Sequence, residues 1–230
     1  MKILVQTVCM SLDRRWIVEK IISNLCCAVD SKLPLVNHEQ LRNLWETESK
    51  NCRQSCERYP RNYHCWVYRW WCFSQIFQQF NLENRACCQG QVQSALFKAE
   101  LAQVAQWIEH HPADYAACHY FHLLVDTVLR GPSGAVSANQ STTQDINRAV
   151  LKQLDHTESS IRSLYASYES VWYHRRWCIL TVANDDRAVI AATVDEELEF
   201  ADSVLKRNEN DQTIFDLVTK HKAWLAVELC

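Results

Sequence analysis

The pattern W-x-x-R-x-W occurs twice in this chain. It is Trp66, Arg69 and Trp71 in "NYHCWVYRWWCF", and Trp172, Arg175 and Trp177 in "SVWYHRRWCIL". Self-similarity at a fixed period marks stacked supersecondary units, so this recurrence constrains the fold more than any other feature. A partial copy, "DRRW", ends at Trp16. A degenerate copy, "DYAACHYFHLL", puts Cys118 in the first Trp slot, Phe121 in the Arg slot and Leu123 in the second Trp slot. A last remnant, "HKAWLAV", offers Trp224. The second-aromatic slots 16, 71, 123, 177 and 224 are then 55, 52, 54 and 47 residues apart. Steps of this size fit a helix–turn–helix unit with variable connections.

Each copy follows a segment of helical period. Leu41, Trp45, Cys52 and Cys56 recur at helical spacing before the first full copy, and Leu96, Leu101, Val104 and Ile108 before the degenerate one. Pro60 and Pro112 mark the turns, and Asn62, Asp114 and Ser170 stand where a capping residue starts the next helix. The expected hairpins run over 1–29, 38–81, 91–130, 144–184 and 187–229, the first of them incomplete, within one helical-repeat domain spanning 1–230. "GPSGAVSANQSTTQD", 131–145, reads as a surface loop between hairpins.

Composition agrees with helices. Three glycines and four prolines in 230 residues disfavour a turn-rich sheet fold, and 48% hydrophobic residues suffice for a sizeable core. A formal net charge of −3 with no long basic run gives no basis for bulk nucleic-acid binding. Twelve scattered cysteines, some adjacent, do not form a secreted disulfide framework, which favours a reducing, cytoplasmic setting. The first residues read as helix rather than signal peptide, no apolar run reaches membrane-spanning length, and Cys230 is not followed by a prenylation box.

On a helix, Trp66 stacks beside Arg69 and Trp172 beside Arg175, while Trp71 and Trp177 point to a neighbouring face. Trp16, Trp66, Arg69, Trp71, Trp172, Arg175 and Trp177 are therefore expected to form the seam of the repeat, an anion site at Arg175 and Arg176 being the lesser option. The cluster Cys52, Cys56, His64 and Cys65 lacks a second clean ligand pair, so no metal is expected in this chain. No nucleophile elbow, Walker loop, dinucleotide fingerprint or kinase signature is present. The residues alone thus lead to an all-helical scaffold acting with a partner. A TPR-like interaction scaffold is an alternative, although TPR units repeat at about 34 residues; a metal enzyme using the Cys/His cluster is another.

"RNYHCWVYRWWCF" and "SVWYHRRWCIL" resemble the alpha-subunit repeat of protein prenyltransferases, roughly P-x-N-Y-x-x-W-x-x-R-x-W, and "ELEFADSVLKRNEND" resembles its preceding helix. The likeness covers nearly the whole chain. It implies an all-α, right-handed superhelix of antiparallel hairpins paired with a beta subunit that carries zinc and most of the isoprenoid pocket. Within the family, the likeness is to alpha subunits of geranylgeranyltransferases whose beta subunit is of the Rab geranylgeranyltransferase type. Such heterodimers transfer geranylgeranyl from its diphosphate to cysteine thiols near protein C-termini. The resemblance places Arg61, Tyr63 and His64 at the beta-subunit face near the diphosphate, with no catalytic residue in this chain. It also sets Asp13 where the motif has His.

Overall fold

A computed structural model of the protein describes residues 14–25, 38–82, 90–129, 140–183 and 187–228. All regular structure among them is helical. The order is α1 (14–25), α2 (His38–Arg58), α3 (Tyr63–Leu82), α4 (Gly90–His110), α5 (Tyr115–Leu129), α6 (Gln140–Ser160), a π-helical turn (Ile161–Tyr165), α7 (Glu169–Ala183), α8 (Arg187–Arg207) and α9 (Gln212–Glu228). No helix among the described residues is long and apolar enough to cross a membrane. The chain divides into two compact units, Met1–Phe97 and Lys98–Cys230.

In the first unit, α2 and α3 form an antiparallel hairpin. Glu48 and Ser49 meet Tyr68 and Arg69, while one turn later on α2 Cys52 meets Cys65, one turn earlier on α3. Leu41, Trp45, Cys52 and Cys56 supply the buried stripe of α2, and Trp66, Cys72, Phe73, Ile76 and Phe77 that of α3. Phe73 stacks on Phe77 at 5.2 Å and meets the Trp45 ring edge-on at 5.1 Å.

In the second unit, the same periodicity packs α5 against α7 and α6 against α7. Tyr120, Phe121, Leu124, Ile146, Val150 and Trp172 are fully buried or nearly so. Ile161, Ala166, Val171, Trp172, Phe200, Ala201, Val204, Ile214, Leu217 and Val218 make one continuous apolar cluster.

The turns explain why helices start where they do. Asn62 accepts the Cys65 amide at 3.2 Å, Asp114 that of Ala117 at 3.3 Å, and Asp211 that of Ile214 at 3.1 Å. Each satisfies an amide that has no partner within its own helix. Ser170, expected as a third cap, instead lies inside the first turn of α7. The reason is the motif's register, since the cap stands four residues before the first Trp slot at Asn62 and Asp114, and four before Trp172 is Tyr168. Tyr168 then takes the cap position, and its carbonyl receives the Val171 amide at 3.1 Å.

Three further expectations are corrected. Residues 140–145, expected in a loop, are the start of α6, because the apolar face already begins at Thr142 and Ile146, 3% and 0% exposed; 131–139 lie outside the described residues. Trp224 does not occupy a repeat slot. The Asp211 cap puts Phe215, Val218 and Lys220 in the Trp, Arg and Trp positions, and Trp224 lies a turn beyond, its ring 5.6 Å from that of His221. Trp16 is not part of the seam. It is 62% exposed, and the two residues before it make the contacts instead.

Asp114 also accepts the Trp107 indole N–H at 3.0 Å while only 4% exposed. Replacing it with Ala leaves a buried donor and a helix start unsatisfied, and is expected to cost about 2 kcal/mol in urea unfolding. Asp211→Ala, at an exposed cap, is expected to cost about 1 kcal/mol. Equal losses in the two variants would contradict this assignment.

Candidate functional site

The sequence candidates Arg61, Tyr63 and His64 lie together at the turn that opens α3. Arg61 adopts φ 60°, a left-handed conformation that is costly for a side chain with a Cβ. It folds the backbone so that the Arg61 carbonyl receives the Tyr63 amide at 2.9 Å, which leads directly into the Asn62 cap. Tyr63 is 52% exposed, its ring 5.9 Å from that of His64, and Arg61 and His64 are exposed as well. A guanidinium, a phenol and an imidazole therefore share one corner at the positive end of a helix. Such a corner suits an anion, since every one of these groups can donate a hydrogen bond.

Behind this corner the thiols pack. Cys52, Cys56 and Cys65 are buried thiols outside any disulfide, and the Cys65 thiol donates to the Cys52 carbonyl at 3.2 Å. Among the described residues, no three His, Cys, Asp or Glu side chains converge as metal ligands.

Below the corner, the seam is built on polar groups. Arg69 donates to the Ser49 carbonyl at 2.8 Å and lies over the Trp45 and Trp66 rings, 5.4 and 5.8 Å from their centroids. One residue away, the Tyr68 hydroxyl donates to Glu48 at 2.7 Å. Arg14 of α1 closes on the same carboxylate through Nε at 2.6 Å and Nη2 at 2.9 Å. The Glu48 hydrogen bond raises Arg14, and burial together with Glu48 raises Tyr68, so neither titrates in the ordinary range. Arg15 lies over Trp71 at 5.3 Å. In "DRRW" it is thus the arginines, not Trp16, that join the repeat.

The acid–tyrosine pair recurs, and sequence reading missed it. Tyr120 donates to Glu100 at 2.6 Å, again across 20 residues and again two positions after the first Trp slot. The signal was available as a glutamate 20 residues before a tyrosine in both copies. In the next copy, Gln153 and His174 stand in these places, across 21 residues. Gln153 donates its amide to the Ala105 carbonyl at 3.4 Å, which turns its oxygen toward His174 Nε2 at 3.3 Å. His174 Nε2 therefore carries the proton, and His174 Nδ1 accepts from His122 Nε2 at 2.8 Å. The His122 ring lies flat on Trp177, 4.0 Å away. Burial pushes His174 down to about 3 and His122 well below the usual histidine range.

Arg175 is the second intact seam arginine. It grips Glu197 through Nε at 2.9 Å and Nη2 at 2.5 Å, and donates from Nη1 to the Leu154 carbonyl at 3.2 Å and Thr157 at 3.3 Å. His221 donates to Glu197 at 3.2 Å and accepts from Arg176 Nε at 3.4 Å. Burial works to raise the Glu197 carboxyl, but hydrogen bonds from His221 and Arg175 hold it below its ordinary value. The arginine pair thus belongs to an internal network binding α6 to α9. Trp172 beside it donates its indole N–H to the Ala166 carbonyl at 2.8 Å. Trp71 and Trp177 are half-buried at the edges of these clusters. Cys118, in the lost Trp slot, is buried and its thiol is pushed up by burial, while Phe121, in the lost Arg slot, meets Trp177 edge-on at 5.9 Å.

The protein prenyltransferase alpha subunit repeat model matches residues 45–76, 97–128 and 151–182, the three copies that contain these pairs. Protein prenyltransferase alpha subunit repeat-containing protein 1 of Danio rerio is 24% identical over 186 residues, which cover 72% of this chain and 41% of that protein. The chain therefore spans about two fifths of the length of the curated relative it matches.

Two outcomes follow from the buried network. Arg175→Lys keeps the charge but not the fork that spans Glu197, and truncation of either partner strands a buried charge. Arg175→Ala is expected to lose about 3–5 kcal/mol in urea unfolding, and Arg175→Lys to recover less than half of it; full recovery by lysine would contradict the bidentate role. For the histidines, the unfolded chain takes up protons below about pH 6.5, whereas folded His174 stays neutral to about 3. Stability should therefore fall as pH drops from 7 toward 5, by up to about 1.4 kcal/mol per pH unit for each histidine at the limit. Urea midpoints that stay flat across that window would contradict it.

Proposed function

We propose, from the premise that this chain is a member of the protein prenyltransferase alpha subunit repeat family, that it acts as the alpha subunit of a protein geranylgeranyltransferase. In this reading it pairs with a beta subunit of the Rab geranylgeranyltransferase type in the cytoplasm. The heterodimer moves geranylgeranyl from its diphosphate to thiols of cysteines near protein C-termini. The observation that carries the reading is the corner at the start of α3, where Arg61, Tyr63 and His64 are exposed side by side ahead of the first full Trp–Arg seam.

The division of labour follows from the chemistry. A zinc ion held by the beta subunit would keep the acceptor cysteine as its thiolate. The diphosphate gathers negative charge as its bond to carbon breaks. Donors already fixed in place stabilise that charge without reorganising. Here the turn is fixed by the left-handed Arg61 and the Asn62 cap, so Tyr63 and His64 leave the helix start in defined directions. The Arg61 guanidinium adds positive charge that needs no proton uptake at neutral pH.

Co-expression with a Rab-type prenyltransferase beta subunit, followed by geranylgeranyl transfer to a cysteine-tailed peptide, tests this. A stable heterodimer with transferase activity is expected. Tyr63→Phe and His64→Ala should each lower kcat by about tenfold or more while the heterodimer still forms. Failure to form the heterodimer would remove the proposal. Full activity in both variants would leave these residues as turn-formers only.

A further inference from the structure

Away from the helix starts, the second unit holds a cleft that the seam does not use. It lies between α6 and α8, over the C-terminal half of α7, with a volume of about 530 Å³. The floor is apolar. Ile179, Ala183 and Phe200 are 4%, 4% and 5% exposed, and Val182 opens into solvent at 37%.

The walls are acidic. Among the described residues, five carboxylates and two guanidiniums line the cleft, with no lysine or histidine. Both guanidiniums are consumed internally. Arg175 is bound to Glu197, and Arg162 donates to Glu158 at 2.8 Å and Ser203 at 3.2 Å. Both cations also lie over the Phe200 ring, 4.4 and 4.8 Å from its centroid. Asp155 on α6 and Glu196 and Glu199 on α8 remain exposed, with no cation partner among the described residues. Three carboxylates thus stand on both walls of an apolar-floored groove.

The sign of this charge excludes phosphate-bearing ligands such as nucleic acid or anionic lipid. A bare cation is not favoured either, because among the described residues no three ligand side chains converge. A purely apolar ligand would take the rim carboxylates out of water without pairing them. Lysine and arginine combine an aliphatic stem with a charged head, so they can cover apolar surface while reaching a carboxylate rim. The volume accommodates one or two such side chains and is of the size of small ligand clefts.

We propose that this cleft docks a basic segment of a partner protein, with one apolar side chain on Val182 and Ile179 and flanking lysines or arginines at Asp155, Glu196 and Glu199. The proposal is independent of the prenyl-transfer reading, since it uses none of Arg61, Tyr63 or His64.

Fluorescence anisotropy on the intact chain tests it. The probe is a labelled nonapeptide with lysines and arginines around a central leucine, and its comparison is the same peptide with every basic residue replaced by glutamine. Micromolar binding of the basic peptide is expected, weakening with added salt. Glu196→Lys/Glu199→Lys and Asp155→Lys, on opposite walls, should each weaken it at least tenfold. Val182→Ser should weaken it severalfold, and Glu209→Lys, outside the cleft, less than twofold. All of these positions are exposed, and thermal melts confirm that each variant is folded. No binding, binding indifferent to the wall variants, or equally tight binding of spermine with no effect of Val182→Ser would overturn the proposal.

Discussion

A buried guanidinium sits at the centre of each intact repeat, and the surrounding helices are arranged to satisfy it. Taking an arginine out of water is costly unless nearly every donor finds an acceptor. Arg175 meets that demand with a forked carboxylate from α8, a carbonyl and a hydroxyl from α6, and the face of Phe200. Arg69 meets it with a carbonyl of α2 and two indole faces. In both, the second helix of the hairpin is fixed in register against the first by groups that cannot slide a turn without losing partners. The tryptophans keep water out. The arginine decides which turn faces which.

Where the arginine is absent, the second unit relies on other polar links. With Phe121 in the Arg slot, α5 is tied to α4 by Tyr120 and Glu100, and to α7 by rings. The relay from Ala105 through Gln153 and His174 to His122 then connects α4, α6, α7 and α5 through one chain of hydrogen bonds. Each member is a buried polar group whose only alternative is an unsatisfied one, so the relay selects one packing among several apolar possibilities. It does so at the expense of keeping two histidines neutral.

Much of the helical architecture was legible in the sequence. The recurring W-x-x-R-x-W, scarce glycine and caps at Asn62 and Asp114 are local signals, and local signals fix helices. What was not legible depended on one-residue shifts or on pairs distant in sequence. The π-helical turn at Ile161–Tyr165 coincides with one extra residue between paired positions of that hairpin, 21 for Gln153 and His174 against 20 in the other copies, a change no composition rule reports. Trp16 and Trp224 matched the motif by residue type, but lie on the wrong side of their helices or a turn too far along. The Glu48–Tyr68 and Glu100–Tyr120 pairs were hidden because neither residue type is unusual alone. For the candidate site, adjacency made Arg61, Tyr63 and His64 easy to single out. Their common exposure depends on the left-handed Arg61, which sequence does not reveal.

In the proposed heterodimer, the corner at Arg61, Tyr63 and His64 meets the partner and the seam beneath it supplies stability. Hydrogen–deuterium exchange of the chain, alone and with a Rab-type prenyltransferase beta subunit, separates these roles directly. The expected result is new protection concentrated at residues 59–66, with the seam residues around Arg69 and Arg175 slow to exchange in both states. Protection absent from 59–66 in a complex that does form would contradict the account.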